Sequence, residues 1–373
     1  MAAAILITLL IALAGIPANP AHAAGYIVDS NIDDEWAHDA SPGDYVCANA
    51  WGACTLRAAL EEANAQGGPH TITFNQGMTI YVDANVGGLP SLNEQIRLDA
   101  SAVWDAGSDE PGVVIHGGGG SFVGLMLKAV GCEIYGLYIT AFNGAGVYVT
   151  SSHNTIGGTG SGQRNVLSGN TNGITLYGST ANNNVVRNNY VGLTASGTTT
   201  NPNSNGIVLI SGANNNIIGG SGAGQSNFVA GNTYSGVVIE GAGTDSNLVT
   251  SNGIGLGTDL ATNLPNGNDG VLIKDGPSNT FIGGASNTGN FITYNEYSGV
   301  NITRGGSGTN VGWNIIGSNR IDGVAIYSTT GCWINNNTIA SNLLAGVRVN
   351  GVPAAGNLIW PNSITGNGSK GIW

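Results

Sequence analysis

Charge is scarce in this chain: Lys and Arg number 10 and the acids 22 in 373 residues, 9% in all. The bases form no stripe, so the electrostatic footprint of a nucleic-acid-binding protein is missing and nucleic acid is excluded as a partner class. The net charge of −12 is also local. Residues 1–110 hold 14 of the acids against only Arg57 and Arg97, while residues 111–373 balance eight acids with eight bases. Histidine is equally sparse, with His38, His70, His116 and His153 scattered far apart. No helical period and no leucine-rich spacing recurs along residues 111–373. No Gly-Gly-x-Gly-x-Asp nonapeptide is present either, so no calcium ladder is signalled. No metal or other cofactor is expected; calcium is compatible with such a chain, but no motif calls for it.

Apolar runs long enough to cross a membrane are lacking as well. Residues 2–15 form a short one, followed by Pro17, Pro20 and the small-x-small site Ala21-His22-Ala23. That is the layout of a secretory signal over residues 1–23, cleaved near Ala23. No Lys or Arg precedes the run, a departure from the usual layout. The mature chain is expected to be secreted or held at the cell surface, with no membrane span.

What the chain has in abundance is glycine, 62 residues, placed in a recurring phrase. A Gly, an aliphatic residue, any residue and a second aliphatic start at Gly146, Gly173, Gly206, Gly236, Gly270, Gly299, Gly323 and Gly346. The steps are 27, 33, 30, 34, 29, 24 and 23 residues. A period of this size marks a solenoid, whose coils bury their apolar sides only by stacking. Apolar and polar residues alternate within each unit, the period of a strand. Asn and Gly bound the short strands, and both tolerate left-handed turns. The expected fold is all-β, a right-handed parallel β-helix. Two longer units carry extra loops at residues 193–204 and 256–268, two rungs apart, which should project from one side of the solenoid. Either these loops bind something, as loops on rigid scaffolds do, or they are drift in a duplicated array.

Residues 24–110 do not repeat. Residues 54–64 form a helix with Thr55 as N-cap, Gly67 as stop, and Leu56, Ala59, Leu60 and Ala63 on one apolar face. So short a helix needs a surface to cover, and the open first coil supplies one. Strands are expected at Tyr26-Ile27-Val28, Thr71–Phe74, residues 78–82, 95–98 and 113–116. Cys47 and Cys54 are spaced to close a small disulfide loop in an exported protein. Cys132 and Cys332 each stand 14 residues before a repeat Gly, in rungs seven apart, and are expected to be unpaired buried fillers. Gly371-Ile372-Trp373 opens another unit, so residues 111–373 are expected to continue in further rungs of a longer protein.

The run Cys54-Thr55-Leu56-Arg57-Ala58-Ala59-Leu60-Glu61-Glu62-Ala63-Asn64 closely resembles the signature of the CSLREA domain, found at the start of bacterial surface and secreted proteins. Residues 43–47 and 71–74 are similar to that family too, although Ala58 replaces its Glu. The solenoid resembles the parallel β-helix repeats of the pectin-lyase-like superfamily. That resemblance implies hydrolysis, elimination or epimerisation of acidic polysaccharides by clustered carboxylates and a basic residue on neighbouring rungs. The Asn-Thr-Asp, Gly-His-Gly and Arg-x-Lys phrases of galacturonan hydrolases are missing, as is the Asp-Pro-His phrase of alginate epimerases. Asp269 and Asp322, each just before a repeat Gly, are assigned to turns.

One grouping stands out by register. With the repeat Gly as zero, offsets one and three point inward, and two and four outward. Glu240 and Lys274 then stack on neighbouring rungs, with Arg304 one place further along the next. Tyr148 and Tyr177 lie on the same face, together with the outward Val208, Val238 and Leu272. These residues make either an ordinary surface with one ion pair, or a face for a polysaccharide or cell-envelope glycan. The favoured function is therefore a non-catalytic exported β-helix that binds glycan or serves as a stalk. A polysaccharide lyase, hydrolase or epimerase is the alternative.

Overall fold

The computed structural model describes residues 24–373, so the expected signal segment, residues 1–23, lies outside the described residues. The described chain winds into three parallel sheets whose strands follow chain order. The first has twelve strands, from Gly25–Val28 to Leu358–Ile359; the second has eleven, from Met78–Tyr81 to Ser363–Thr365. The third has nine, from Leu125–Leu127 to Val347–Asn350. One rung runs through Glu133–Tyr135, Leu137–Thr140 and Ala145–Val149 before Thr155 returns beside Glu133 in the first sheet. This is a right-handed parallel β-helix.

Each strand contributes alternate side chains to one continuous core. In the third sheet the aliphatics at offsets one and three are inside: Ile207, Leu209, Val237, Ile239, Val271 and Ile273 are all fully buried. The repeat Gly is required by space. A Cβ on Gly236 would meet the Gly270 carbonyl and the Asn266 side-chain amide, each at 2.8 Å, because the next rung's backbone and its ladder side chain fill that space.

The asparagines do more than turn the chain. Three ladders of buried Asn run along the solenoid, one at each corner, each amide donating to the side-chain oxygen of the next rung. Asn227, Asn252, Asn290 and Asn314 form part of the first, at 2.9 to 3.0 Å per link. Asn266, Asn295, Asn319 and Asn342 lie in the second, and Asn154, Asn184, Asn216 and Asn247 in the third. Here the structure corrects the turn argument. The left-handed residue is usually the one before the ladder Asn, as in Asn183, Asn188 and even Tyr294 and Trp313. The ladder side chain itself satisfies backbone groups that the corner leaves without sheet partners.

The third ladder accounts for both unpaired cysteines. After Asn247 its positions pass to Thr280, Thr309 and Cys332, while Cys132 stands at its start and donates its N–H to Asn154. Both are buried free thiols seven rungs apart, as expected from spacing.

At the amino-terminal end the helix Leu56–Gln66 begins at Thr55, whose side chain accepts from the Ala58 N–H, and stops at Gly67. Leu56, Ala59, Leu60 and Ala63 extend the solenoid core. Its polar residues fasten the irregular segment before it. Arg57 makes a buried pair with Asp33 at 2.7 Å, and Glu62 accepts the N–H groups of Gly43 and Tyr45. Cys47 and Cys54 are joined by a disulfide. No helix among the described residues is long and apolar enough to cross a membrane.

Candidate functional site

The outer face of the third sheet carries the residues selected by register. Strand pairing aligns Tyr177, Ile210, Glu240, Lys274, Thr303 and Tyr327 in one outward row. Tyr148, Thr175, Val208, Val238, Leu272, Asn301, Ala325 and Arg348 form the other.

Within this face the predicted group divides into three. Lys274 Nζ lies 3.1 Å from Glu240, both about a quarter to a third exposed. Tyr148 and Tyr177 stack on each other, ring centres 5.8 Å apart at 28°, and burial followed by Tyr177 raises the Tyr148 hydroxyl. Arg304 does not join either pair. Its backbone is left-handed, at the turn that ends the strand, and its guanidinium binds Asp275 with Nε 2.5 Å from the carboxylate. Arg304 thus stands one place beyond Lys274 on the next rung, in the field of Glu240, with Asp275 as its direct partner.

Val208 and Val238 are buried on the outward side, at 7% and 5% exposure. They floor a cleft of about 230 Å³, with Asn172, Asn205, Tyr234 and Asn268 on one side and Glu240 and Lys274 on the other. Both extra loops do project together, and the Thr258 N–H donates to the Gly197 carbonyl across them at 3.0 Å.

Sequence reasoning passed over the most perturbed carboxylate of this face. Asp269, assigned to a turn, is only 5% exposed. It accepts the Ser298 N–H and the Asn301 amide, each at 3.0 Å, and no cation is within ion-pair reach. Burial outweighs both hydrogen bonds and pushes its carboxyl up to about 6. Asp322 occupies the same position two rungs on, fully buried, but holds Arg348 with Nε at 2.5 Å. Tyr327, half-buried on the rung of Asp322, has its hydroxyl raised by burial first and then by the charges of Asp322 and Asp269. The available signal was the acid itself, standing where other rungs carry Asn or Ser. Among the described residues, no group of three or more His, Cys, Asp or Glu is arranged to hold a metal ion.

No protein-family model matches the chain, and no curated protein matches it. Solved structures do. The A-module of mannuronan C-5 epimerase AlgE4 from Azotobacter vinelandii is similar over 90% of this chain and 95% of its own, with a TM-score of 0.54 at 16% identity. The A-module of AlgE6 from the same organism covers 85% of this chain and 93% of its own, with a TM-score of 0.52 at 17% identity. What these likenesses define is the class of the fold, the parallel β-helix.

Proposed function

We propose that this chain is a polysaccharide-active β-helix protein that works on acidic glycan at the outer face of the third sheet. One observation carries the reading. Asp269 is a buried carboxyl poised near pH 6, so it can give or take a proton at neutral pH. Lys274 beside the adjoining cleft supplies positive charge toward an acidic sugar, and Tyr327 supplies a second proton-bearing group. Epimerisation or elimination at a uronate ring needs groups of these kinds. The two structural neighbours named above are mannuronan epimerases; at their low identity they share the fold, and the activity is inferred from the site.

A second reading, glycan binding without turnover, is favoured by how far these groups are already committed. Both Asp269 oxygens are hydrogen-bonded, Lys274 is paired with Glu240, and Arg348 with Asp322. Export to the cell surface or medium, with a CSLREA-like cap at the amino-terminal end, belongs to either reading. The Cys47–Cys54 disulfide supports it, because such bonds persist in oxidising compartments.

The test is incubation of the purified chain with alginate and with polygalacturonate. Unsaturated ends, new reducing ends and uptake of solvent deuterium at C5 report elimination, hydrolysis and epimerisation. Activity that Asp269→Asn abolishes and Arg304→Gln leaves intact is expected. Binding without any of the three products would select the second reading.

A further inference from the structure

Arg187 is the one partly buried cation without a counter-ion among the described residues. Seven of the ten Lys and Arg side chains meet a carboxylate within 4.0 Å. Lys128 and Lys370 are exposed to water. Arg187 is neither paired nor exposed, and its Nε is buried with no hydrogen-bond partner. It lies on the outer face of the first sheet, a different wall of the solenoid from the Asp269 face.

Around it is a cavity of about 320 Å³. The lining contains no acid; it pairs Arg187 with the side chains of Ser221, Gln225, Thr250 and Thr288 over the apolar Ile217 and Leu248. Gly219 and Gly220 keep the floor low. A Cβ on Gly219, at φ +103°, would collide with the Thr250 carbonyl. An unpaired guanidinium in an acid-free, hydroxyl-lined hollow is complementary to a carboxylate, which it can take bidentately.

The hollow continues along the solenoid axis. Strand register places Ile217, Leu248, Phe281, Asn310 and Trp333 in one outward column. Beyond Leu248 a second hollow of about 180 Å³ lies between Phe281, Trp313 and Trp333, with Asn310 and Asn335 amides inside it. Phe281 and Trp333 are 46% and 49% exposed. Exposed rings on either side of amide groups suit the alternating C–H faces and hydroxyls of a pyranose.

We propose that this wall is a second glycan-binding site, which holds a linear uronic-acid polysaccharide along the axis, one carboxylate on Arg187 and a sugar ring between Phe281 and Trp333. It goes beyond the proposed activity of the third sheet and does not depend on it. The probes are hexamers of mannuronate and of galacturonate, and the same hexamers with their carboxyl groups reduced to alcohols. Binding to the full chain is followed by calorimetry, with thermal unfolding as a check on each variant.

Asp269→Asn serves as the background, so that turnover and third-sheet effects are held constant. Arg187→Gln is expected to weaken uronate binding about tenfold or more and to leave the weaker binding of the reduced hexamers unchanged. Trp333→Ala is expected to weaken both. Arg187→Gln and Trp333→Ala variants that bind every hexamer as tightly as the background would overturn the site. Equal binding of acidic and reduced hexamers would overturn the carboxylate assignment. Loss of turnover in Asp269→Asn with hexamer binding retained separates this site from the third-sheet reading.

Discussion

Asp269 and Asp322 stand in the same register two rungs apart, yet only Asp322 meets a cation. Arg348 Nε is 2.5 Å from Asp322, whereas Asp269 receives the neutral amide of Asn301 at 3.0 Å. The two positions differ in what the next rung supplies, a guanidinium to Asp322 and an amide to Asp269.

Asp269 therefore makes stability depend on pH. Its folded carboxyl is raised from 3.8 to about 6, so the folded state retains its proton when the unfolded chain has lost it. That contribution is fully present below the unfolded value and is lost as pH rises through the folded one. Asp269→Asn should gain stability on the order of 2 kcal/mol above pH 6, with no gain near pH 4. Urea titrations of both proteins at the two pH values check it. An equal difference at both would show that burial does not govern this group.

The Asn ladders should be costly to interrupt. Asn290 accepts the N–H and side-chain amide of Asn252 and donates to Val249 O and Asn314 Oδ1, all between 2.8 and 3.0 Å. Asn290→Ala leaves those partners buried and unpaired, a loss of about 2–4 kcal/mol. Denaturant unfolding of the variant measures it. A change of only a few tenths would mean that water replaces the side chain at this corner.

Two substitutions three residues apart should differ sharply. Val271 is fully buried and Lys274 about a quarter exposed. Val271→Asp places an unpaired charge within the stack and should prevent stable folding or cost several kcal/mol, about 3 or more. Lys274→Glu loses one exposed pair and sets two carboxylates side by side, about 1 kcal/mol. Thermal melts of the two variants that coincide would put the assigned register in error by one residue.

Thiol chemistry separates the four cysteines. Burial pushes the Cys132 and Cys332 thiols up to about 11. Both should resist alkylation in the native protein and react only after unfolding. Reduction of Cys47–Cys54 should cost roughly 2–3 kcal/mol by releasing the loop. Mass mapping with and without reductant reads both effects; rapid native labelling of Cys132 would contradict its place in the ladder.

The outward and inward rows were legible because a strand has a period of two, and one row of Val and Ile fixes every other position. The helix was legible from Thr55, Gly67 and its apolar face. The Glu240–Lys274 pair followed from counting rungs. The Arg304–Asp275 pair was not legible, because both side chains leave from turns whose left-handed backbone the strand period does not describe. Asp269 was passed over for a related reason: its position before a repeat Gly looks like a turn, whereas the next rung covers it.

The sequence by itself determined the coil, the direction of its side chains, the capping helix and the partnership of its cysteines. Those properties depend on local periodicity and on short spacings. Tertiary structure decided which polar groups are buried and which are free. Asn side chains became ladders only when rungs stacked, and Asp269 acquired its raised carboxyl from burial, which the hydrogen bond from Asn301, 32 residues away, only partly offsets. Arg187 is left without a counter-ion by the same stacking, because the residues that line its hollow come from several rungs and none is acidic. Desolvation and charge pairing depend on the whole surroundings of a group, and in a solenoid most of those surroundings come from other turns of the chain.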